Sequence, residues 1–192
     1  MLKISENGVE GTPPNRMDAV KSRPLIGKLA LRFTRWQRAR NAERYMDGGD
    51  THLDIGCGDG YFLFRSPYKI RYGFDELMGE QDKINDRIDF PDNYFDLVSM
   101  LAVIEHLPDV RNMLEEIQRV LKPGGKLVLT TPKQSAEWII DLYLKNVHDI
   151  HETYFDRNSM QEVSAGLFKL TGYHTFILGL NQAFCLEKIA SA

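Results

Sequence analysis

The chain has 192 residues, 43% of them hydrophobic and 27% charged, with a net charge of −3. That is the composition of one ordinary globular domain, long enough to bury a core without staples. Cys57 and Cys185 stand alone, no apolar run reaches the roughly 18 residues of a membrane helix, and the N-terminus lacks an apolar signal stretch. These features exclude a membrane-spanning protein, a disulfide-stapled miniprotein, a collagen and a coiled coil, and point to a reducing, cytoplasmic setting.

Residues 1–23, polar and rich in Gly, Pro, Asn and Ser, read as a flexible tail. From there to residue 192 the pattern reads as one domain: a helix over 24–46, a core over 50–132, and a substrate-side segment with a terminal hairpin over 133–192. In the helix, Ile26, Leu29, Ala30, Phe33 and Trp36 recur at helical spacing, with Lys28, Arg32, Arg35 and Arg38 largely opposite. The apolar side reads as the one that covers the sheet. Eight basic residues between Lys21 and Arg44 face only Glu43, a local charge of +7 against −10 elsewhere. The acidic remainder argues against bulk nucleic-acid binding, while the basic helix leaves room for a peripheral anionic surface or ligand.

Strands and helices then alternate. Thr51–Ile55 reads as a strand entering the loop Gly56-Cys57-Gly58-Asp59-Gly60, and Ser66-Pro67 cuts short the helix begun at Tyr61. Ile70–Phe74, Gln81–Asn85, Phe95–Met100 and Lys126–Thr131 read as further strands. Asp109–Leu121 is an amphipathic helix capped by Asp109 and stopped by Lys122-Pro-Gly-Gly125. Helices are also expected over 135–144 and 158–170, then two strands joined by Gly179-Leu-Asn181. The alternation predicts an α/β fold: a single doubly wound, Rossmann-like domain with a mostly parallel sheet and a C-terminal antiparallel hairpin strand. Ligands of such sheets bind beyond the carboxyl ends of the strands.

The loop after the first core strand carries the strongest signal. Glycine permits positive φ and close approach to the backbone. A dinucleotide fingerprint would need its third glycine at position 61, where Tyr61 stands, and the P-loop Lys is missing. Asp54 and Asp59 suit a cationic group better than a pyrophosphate. Asp75, ending the next strand 21 positions beyond Asp54, is placed to accept both hydroxyls of a ribose.

These residues resemble the class I S-adenosylmethionine-dependent methyltransferases of the type 11-like group. The resemblance rests on Leu53-Asp-Ile-Gly-Cys-Gly-Asp-Gly60, Gly73-Phe-Asp75, Phe90-Pro-Asp-Asn-Tyr-Phe-Asp-Leu-Val98, Val103-Ile-Glu-His-Leu-Pro108 and Arg119-Val-Leu-Lys-Pro-Gly-Gly125. It implies S-adenosylmethionine as cofactor. Asp54, Gly56, Cys57, Gly58, Asp59 and Gly60 would lie under its methionine part. Asp75 would hold the ribose, Glu76 would flank the adenosine, and Leu101 would offer backbone contacts. The segment between Asp75 and Phe90 is shorter than in relatives, and Asp86 is the candidate for the adenine amine, with Asp89 second. Asp96 is expected to be a structural cap.

Methyl transfer needs positioning more than covalent chemistry, plus a base for some oxygen or nitrogen acceptors. His106 and His151 are the candidate bases. His148, His151, Asp149 and Glu152 have spacing that would suit a metal, although a solvated loop is the expected reading and no metal is assigned. Tyr154 and Phe155 read equally as acceptor-pocket lining or core. The acceptor reads as a small molecule or a glycan precursor, the latter from a fainter resemblance of Phe176–Lys188 to enzymes encoded with surface-polysaccharide genes. The alternative is a non-catalytic S-adenosylmethionine-binding or interaction protein of the same fold. Nucleic acid is disfavoured as partner: Ser99-Met-Leu-Ala102 lacks the Pro-Pro motif of amino-methylating DNA enzymes.

Overall fold

The structure, a computed structural model, describes residues 1–12, 25–75, 87–136 and 153–189. Twelve elements follow one another: β1 (Leu2–Ser5), β2 (Gly8–Glu10), α1 (Leu25–Ala42), β3 (Thr51–Ile55), α2 (Tyr61–Arg65), β4 (Ile70–Phe74), β5 (Phe95–Leu101), α3 (Val110–Val120), β6 (Leu121–Pro132), α4 (Arg157–Val163), β7 (Phe168–Phe176) and β8 (Asn181–Lys188). The strands form one sheet in the order β2-β1-β4-β3-β5-β6-β8-β7. Its centre, β4-β3-β5-β6, is parallel, and both flanks are antiparallel. The chain leaves β3 toward β4 and returns to β5 on the other side, so the switch point lies between β3 and β5, where ligands of such sheets bind.

Alternation along the strands builds a core on each face. Val98, Leu127 and Leu129 pack with Met113, Leu114, Ile117 and Val120 of α3. Leu97, Val128 and Cys185 pack the other way, with Ala39 and Ala42 of α1 and Phe62 of α2. Helix α3 begins where expected: the Asp109 carboxylate accepts the Asn112 amide at 3.0 Å, satisfying one of the orphan donors of a helix start.

Three expectations are corrected. The flexible tail is structured over its first residues: β1 and β2 pair as a hairpin about Glu6-Asn7, and β1 runs antiparallel to β4 with Leu2 opposite Gly73. Leu2 and Ile4 are buried against Leu63, and that burial holds a strand too short to stand out in the sequence. This pairing also fills the outer edge of β4. The strand expected over Gln81–Asn85 lies outside the described residues.

Helix α1 does not bury the stripe read as its inner face. Its packed residues are the small Ala39 and Ala42, while Leu29, Ala30, Phe33 and Trp36 of that stripe are exposed, as is Leu25 before it. The helix expected over 158–170 stops at Val163, because Gly166 takes φ +77° and β7 starts at Phe168 to pair with β8. Of the helix expected over 135–144, a 3-10 turn at Gln134–Ala136 is seen, and the remainder lies outside the described residues. The terminal hairpin stands as read, placing β8 against β6.

Candidate cofactor site

The register of β3 on β4 aligns Ile55 with Phe74, so the glycine loop and Asp75 leave the sheet side by side. The Gly56 and Cys57 amides both donate to the Phe74 carbonyl, at 2.7 and 2.9 Å. Gly56, Gly58 and Gly60 all have positive φ, +72°, +55° and +78°, where a Cβ is strained. At Gly56 space is forbidding as well: a Cβ would lie 2.3 Å from Val103 Cγ2, in the loop after β5. The Gly58 amide donates to Asp75 Oδ2 at 2.8 Å, and Asp75 is 2% exposed. One carboxylate thus both closes the loop and stands at the strand end where a ribose diol would lie. A carboxylate has about four lone-pair sites, so it can hold the loop amide and accept further hydrogen bonds. These residues fit the group the sequence implies.

Asp54 is placed differently from a ligand-facing carboxylate. It lies beneath the loop, buried, and its Oδ1 accepts a 2.5 Å hydrogen bond from Ser99 Oγ on β5. Ser99 Oγ also meets His52 Nε2 at 2.8 Å, and His52 Nδ1 meets Ser66 Oγ at 2.8 Å. Burial pushes the Asp54 carboxyl up to about 7, with Ser99 working against it and Asp75 with it. Burial, with the nearby Arg71 cation, pushes His52 down to about 3. This chain of polar groups across the centre of the sheet went unread in the sequence. Its signal was His52, Asp54 and Ser99, polar residues on one face of otherwise apolar strands.

Asp59 faces a cation, but one the protein supplies. Its Oδ2 accepts from Arg35 Nη1 at 2.7 Å, and its Oδ1 from the Tyr61 amide at 3.2 Å. Arg35 also lies over the Tyr61 ring, 4.1 Å from its centroid. Helix α1 therefore reaches the glycine loop through Arg35. Cys57 is buried, beside Gly73, where a Cβ would come within 2.8 Å of Cys57 Sγ; its role is to fit.

Leu101, the last residue of β5, is half-buried, and Ala102, at φ +60°, donates its amide to the Thr130 carbonyl. The next turn, Ile104–His106, exposes His106 and buries Glu105. Glu105 is 1% exposed, and neither carboxyl oxygen has a hydrogen-bond partner among the described residues. Burial pushes its carboxyl up, with the Arg38 guanidinium from α1 working against that. Asp96 is structural, as expected. Its Oδ2 accepts the Thr51 and Asp50 amides and its Oδ1 meets Lys122 at 2.7 Å. Although burial raises its pKa, Lys122 and Thr51 hold it below the usual carboxylate range.

Phe155 belongs to the core around Ile104 and Met160, and Tyr154 is half-buried. Glu76, Asp86, His148, Asp149, His151 and Glu152 lie outside the described residues. Among the described residues, no group of three His, Cys, Asp or Glu side chains could hold a metal, and no helix is long and apolar enough to cross a membrane.

The fold is one that known proteins share. A tRNA U34 carboxymethyltransferase of Nautilia profundicola is 34% identical over 100 residues, a match covering 41% of this chain and 33% of that protein. A ubiquinone biosynthesis O-methyltransferase of Coxiella burnetii is 28% identical over 154 residues, covering 64% and 66%. The chain thus spans between one third and two thirds of the length of these relatives. In structure it is similar to an S-adenosylmethionine-dependent methyltransferase of Aquifex aeolicus, with a TM-score of 0.59, 20% identity and coverage of 79% and 89%. The cofactor read from the sequence, S-adenosylmethionine, stands with this fold. The family model described as a methyltransferase domain matches residues 28–166, and the chain belongs to that family.

Proposed function

We propose that this chain binds S-adenosylmethionine and transfers its methyl group to a nucleophilic oxygen or nitrogen of a small-molecule or glycan-type acceptor. The observation that carries the reading is the register of β3 on β4, which sets three left-handed glycines against the buried Asp75 carboxylate. The cofactor supplies an activated methyl on a sulfonium. What the protein must add is alignment and a dry setting. Asp75 takes the ribose hydroxyls. The glycine backbone, freed of Cβ atoms, admits the methionine part. Arg35 fixes Asp59 and with it the loop's outer turn. Asp54, held by Ser99 under the loop, sets the loop's height rather than touching the ligand. Leu101 and Ala102 form the wall toward the acceptor, and His106, exposed on the following turn, takes the acceptor's proton as the methyl bond forms.

The relatives' names support two acceptor classes. The longer match is to an O-methyltransferase of a small molecule, and the shorter to an enzyme named for tRNA. The small molecule is favoured here because the chain carries net charge −3 and two of its helix arginines are engaged, Arg35 with Asp59 and Arg38 beside Glu105.

Calorimetry with S-adenosylmethionine and S-adenosylhomocysteine, with NADH as control, tests the first step. Micromolar binding of the first two alone is expected. Release of S-adenosylhomocysteine in the presence of small phenols, nucleotide sugars or bulk tRNA then tests the second. Binding with no turnover on any of them leaves the non-catalytic reading standing, and no binding sinks both.

A further inference from the structure

We infer that α1 docks this protein on an anionic lipid surface, through the apolar row that the sheet does not bury. Leu25, Leu29, Phe33 and Trp36 recur at steps of four, four and three, which keeps them on one stripe of the helix. Their exposures are 72%, 56%, 49% and 38%. Single exposed apolar residues need no explanation, whereas four in one row on one helix mark a surface that meets something apolar. Phe33 and Trp36 are in ring contact, with centroids 6.0 Å apart.

Charge decides what that something is. Arg32 and Arg40 are exposed on the same side, and Arg40 lies 5.6 Å over the Trp36 ring. Between Leu25 and Tyr45 six basic residues face only Glu43, on a chain of net charge −3. A net positive charge is therefore concentrated on the helix that carries the apolar row, within a chain that is acidic as a whole. Apolar side chains interleaved with arginines suit a helix lying in the plane of a bilayer. There the rings and leucines enter the acyl boundary and the guanidinium groups stay among anionic headgroups. A nucleic acid would use the arginines and leave the row in water.

The orientation is consistent with this. Arg35 bonds Asp59, just past the carboxyl end of β3, whereas Ala39 and Ala42 pack with Leu97 and Val128, within β5 and β6. Helix α1 therefore descends from the carboxyl edge of the sheet, with Leu25 and Leu29 at or beyond that edge. The β7–β8 turn lies at the same edge, since Pro132, ending β6, pairs with Asn181. Its tip residue Leu178 is fully exposed at φ +55°, after Ile177 at φ +50°. Apolar and β-branched residues are uncommon in that conformation, where Asn and Gly are usual. The surface would therefore meet the protein on the side where the glycine loop opens.

Flotation of the full chain with vesicles tests this without reference to methyl transfer. Vesicles of phosphatidylcholine alone are compared with vesicles of equal parts phosphatidylcholine and phosphatidylglycerol. The chain is expected to float with the anionic vesicles and not the neutral ones, less so at high salt. Leu29→Glu and Phe33→Glu, each on an exposed face, are expected to cut vesicle binding by about tenfold or more, because a carboxylate then replaces buried apolar area in a negative field. Arg32→Glu with Arg40→Glu removes the preference for anionic lipid. In an otherwise native chain with Trp138→Phe, Trp36 emission shifts to the blue on anionic vesicles and is quenched by brominated acyl chains. That readout needs no change in the row itself. Absence of flotation overturns the proposal, as does flotation indifferent to Leu29→Glu and Phe33→Glu. A dimer that Phe33→Glu dissociates, without vesicle binding, gives the row to a second copy and also overturns it. So does retention on RNA without flotation.

Discussion

The Gly58 amide and the Asp75 carboxylate, 17 positions apart in sequence, meet at 2.8 Å. One acidic side chain therefore holds the shape of the loop, and in the proposed function it also takes the ribose. Asp75→Ala leaves a loop amide without its acceptor and removes the negative charge, so both stability and affinity fall. The lost charged hydrogen bonds correspond to about 1.5–3 kcal/mol each, or roughly a ten- to hundredfold loss of S-adenosylmethionine affinity. Asp75→Asn keeps an acceptor for Gly58 and is expected to bind more weakly than wild type with near-native melting. Calorimetry beside thermal melts separates the two roles. Equal binding by wild type and Asp75→Ala would remove Asp75 from the site.

Gly56 is required for two independent reasons, and a pair of variants separates them. In Gly56→Ala the new methyl meets Val103 Cγ2 at 2.3 Å while φ stays at +72°. The clash and the left-handed strain together are expected to cost about 2–4 kcal/mol. Adding Val103→Ala removes the clash and leaves the strain. The double variant should therefore melt above Gly56→Ala, despite losing packing at Val103, and still below wild type. Should it melt no higher than the single variant, the loop after β5 does not press on Gly56 as described.

The parts of the fold that were legible in the sequence are those fixed locally. Thr51–Ile55 followed by three glycines, Asp109 opening α3, and Gly179 between two apolar runs each carry their own turn chemistry. The parts that were not legible depend on distant partners. Leu2 and Ile4 make a strand because β4 has an open edge and Leu63 lies under it. The alternation Leu2-Lys3-Ile4-Ser5 is too short to say so by itself. The periodicity of α1 reports a stripe but not whether it faces protein, and here the two alanines make the contact. Asp54 was read with the glycine motif, and its direction depends on Ser99, 45 positions later. Asp59 was expected to meet a cation, and which cation was decided by the path of α1 rather than by the loop.

The hairpin at the start of the chain gives a direct test of that point. Leu2 is wholly buried, and its Cδ2 lies 3.1 Å from where a Gly60 Cβ would be. Leu2→Ala is expected to destabilise by about 2–4 kcal/mol, as buried Leu→Ala changes do. Val9→Ala, on the exposed strand β2, should change stability by less than about 0.5 kcal/mol. Urea unfolding of the two variants measures both. A Leu2→Ala variant as stable as wild type would return residues 1–12 to the status of a tail.

Asp54 makes stability depend on pH in an unusual direction for a carboxylate. Its folded pKa, about 7, lies above the ordinary value of 3.8. Between those values the folded state holds a proton that the unfolded chain has lost, so this group's contribution falls as pH rises, and the loss is complete above about pH 7. A shift of that size corresponds to a penalty of up to about 4 kcal/mol for the ionised form. His52 acts in the opposite sense. Pushed down to about 3 from 6.5, it costs stability at low pH and recovers it as pH approaches the unfolded value. The two are separated by comparing Asp54→Asn with wild type, since His52 is common to both. Asparagine keeps the acceptor for Ser99 Oγ and cannot ionise. The melting temperature of Asp54→Asn minus that of wild type is therefore expected to rise from about pH 5 to about pH 8, and to level off above that. A difference that stays flat across the range would mean that Asp54 is already ionised at low pH and that its bond to Ser99 outweighs burial.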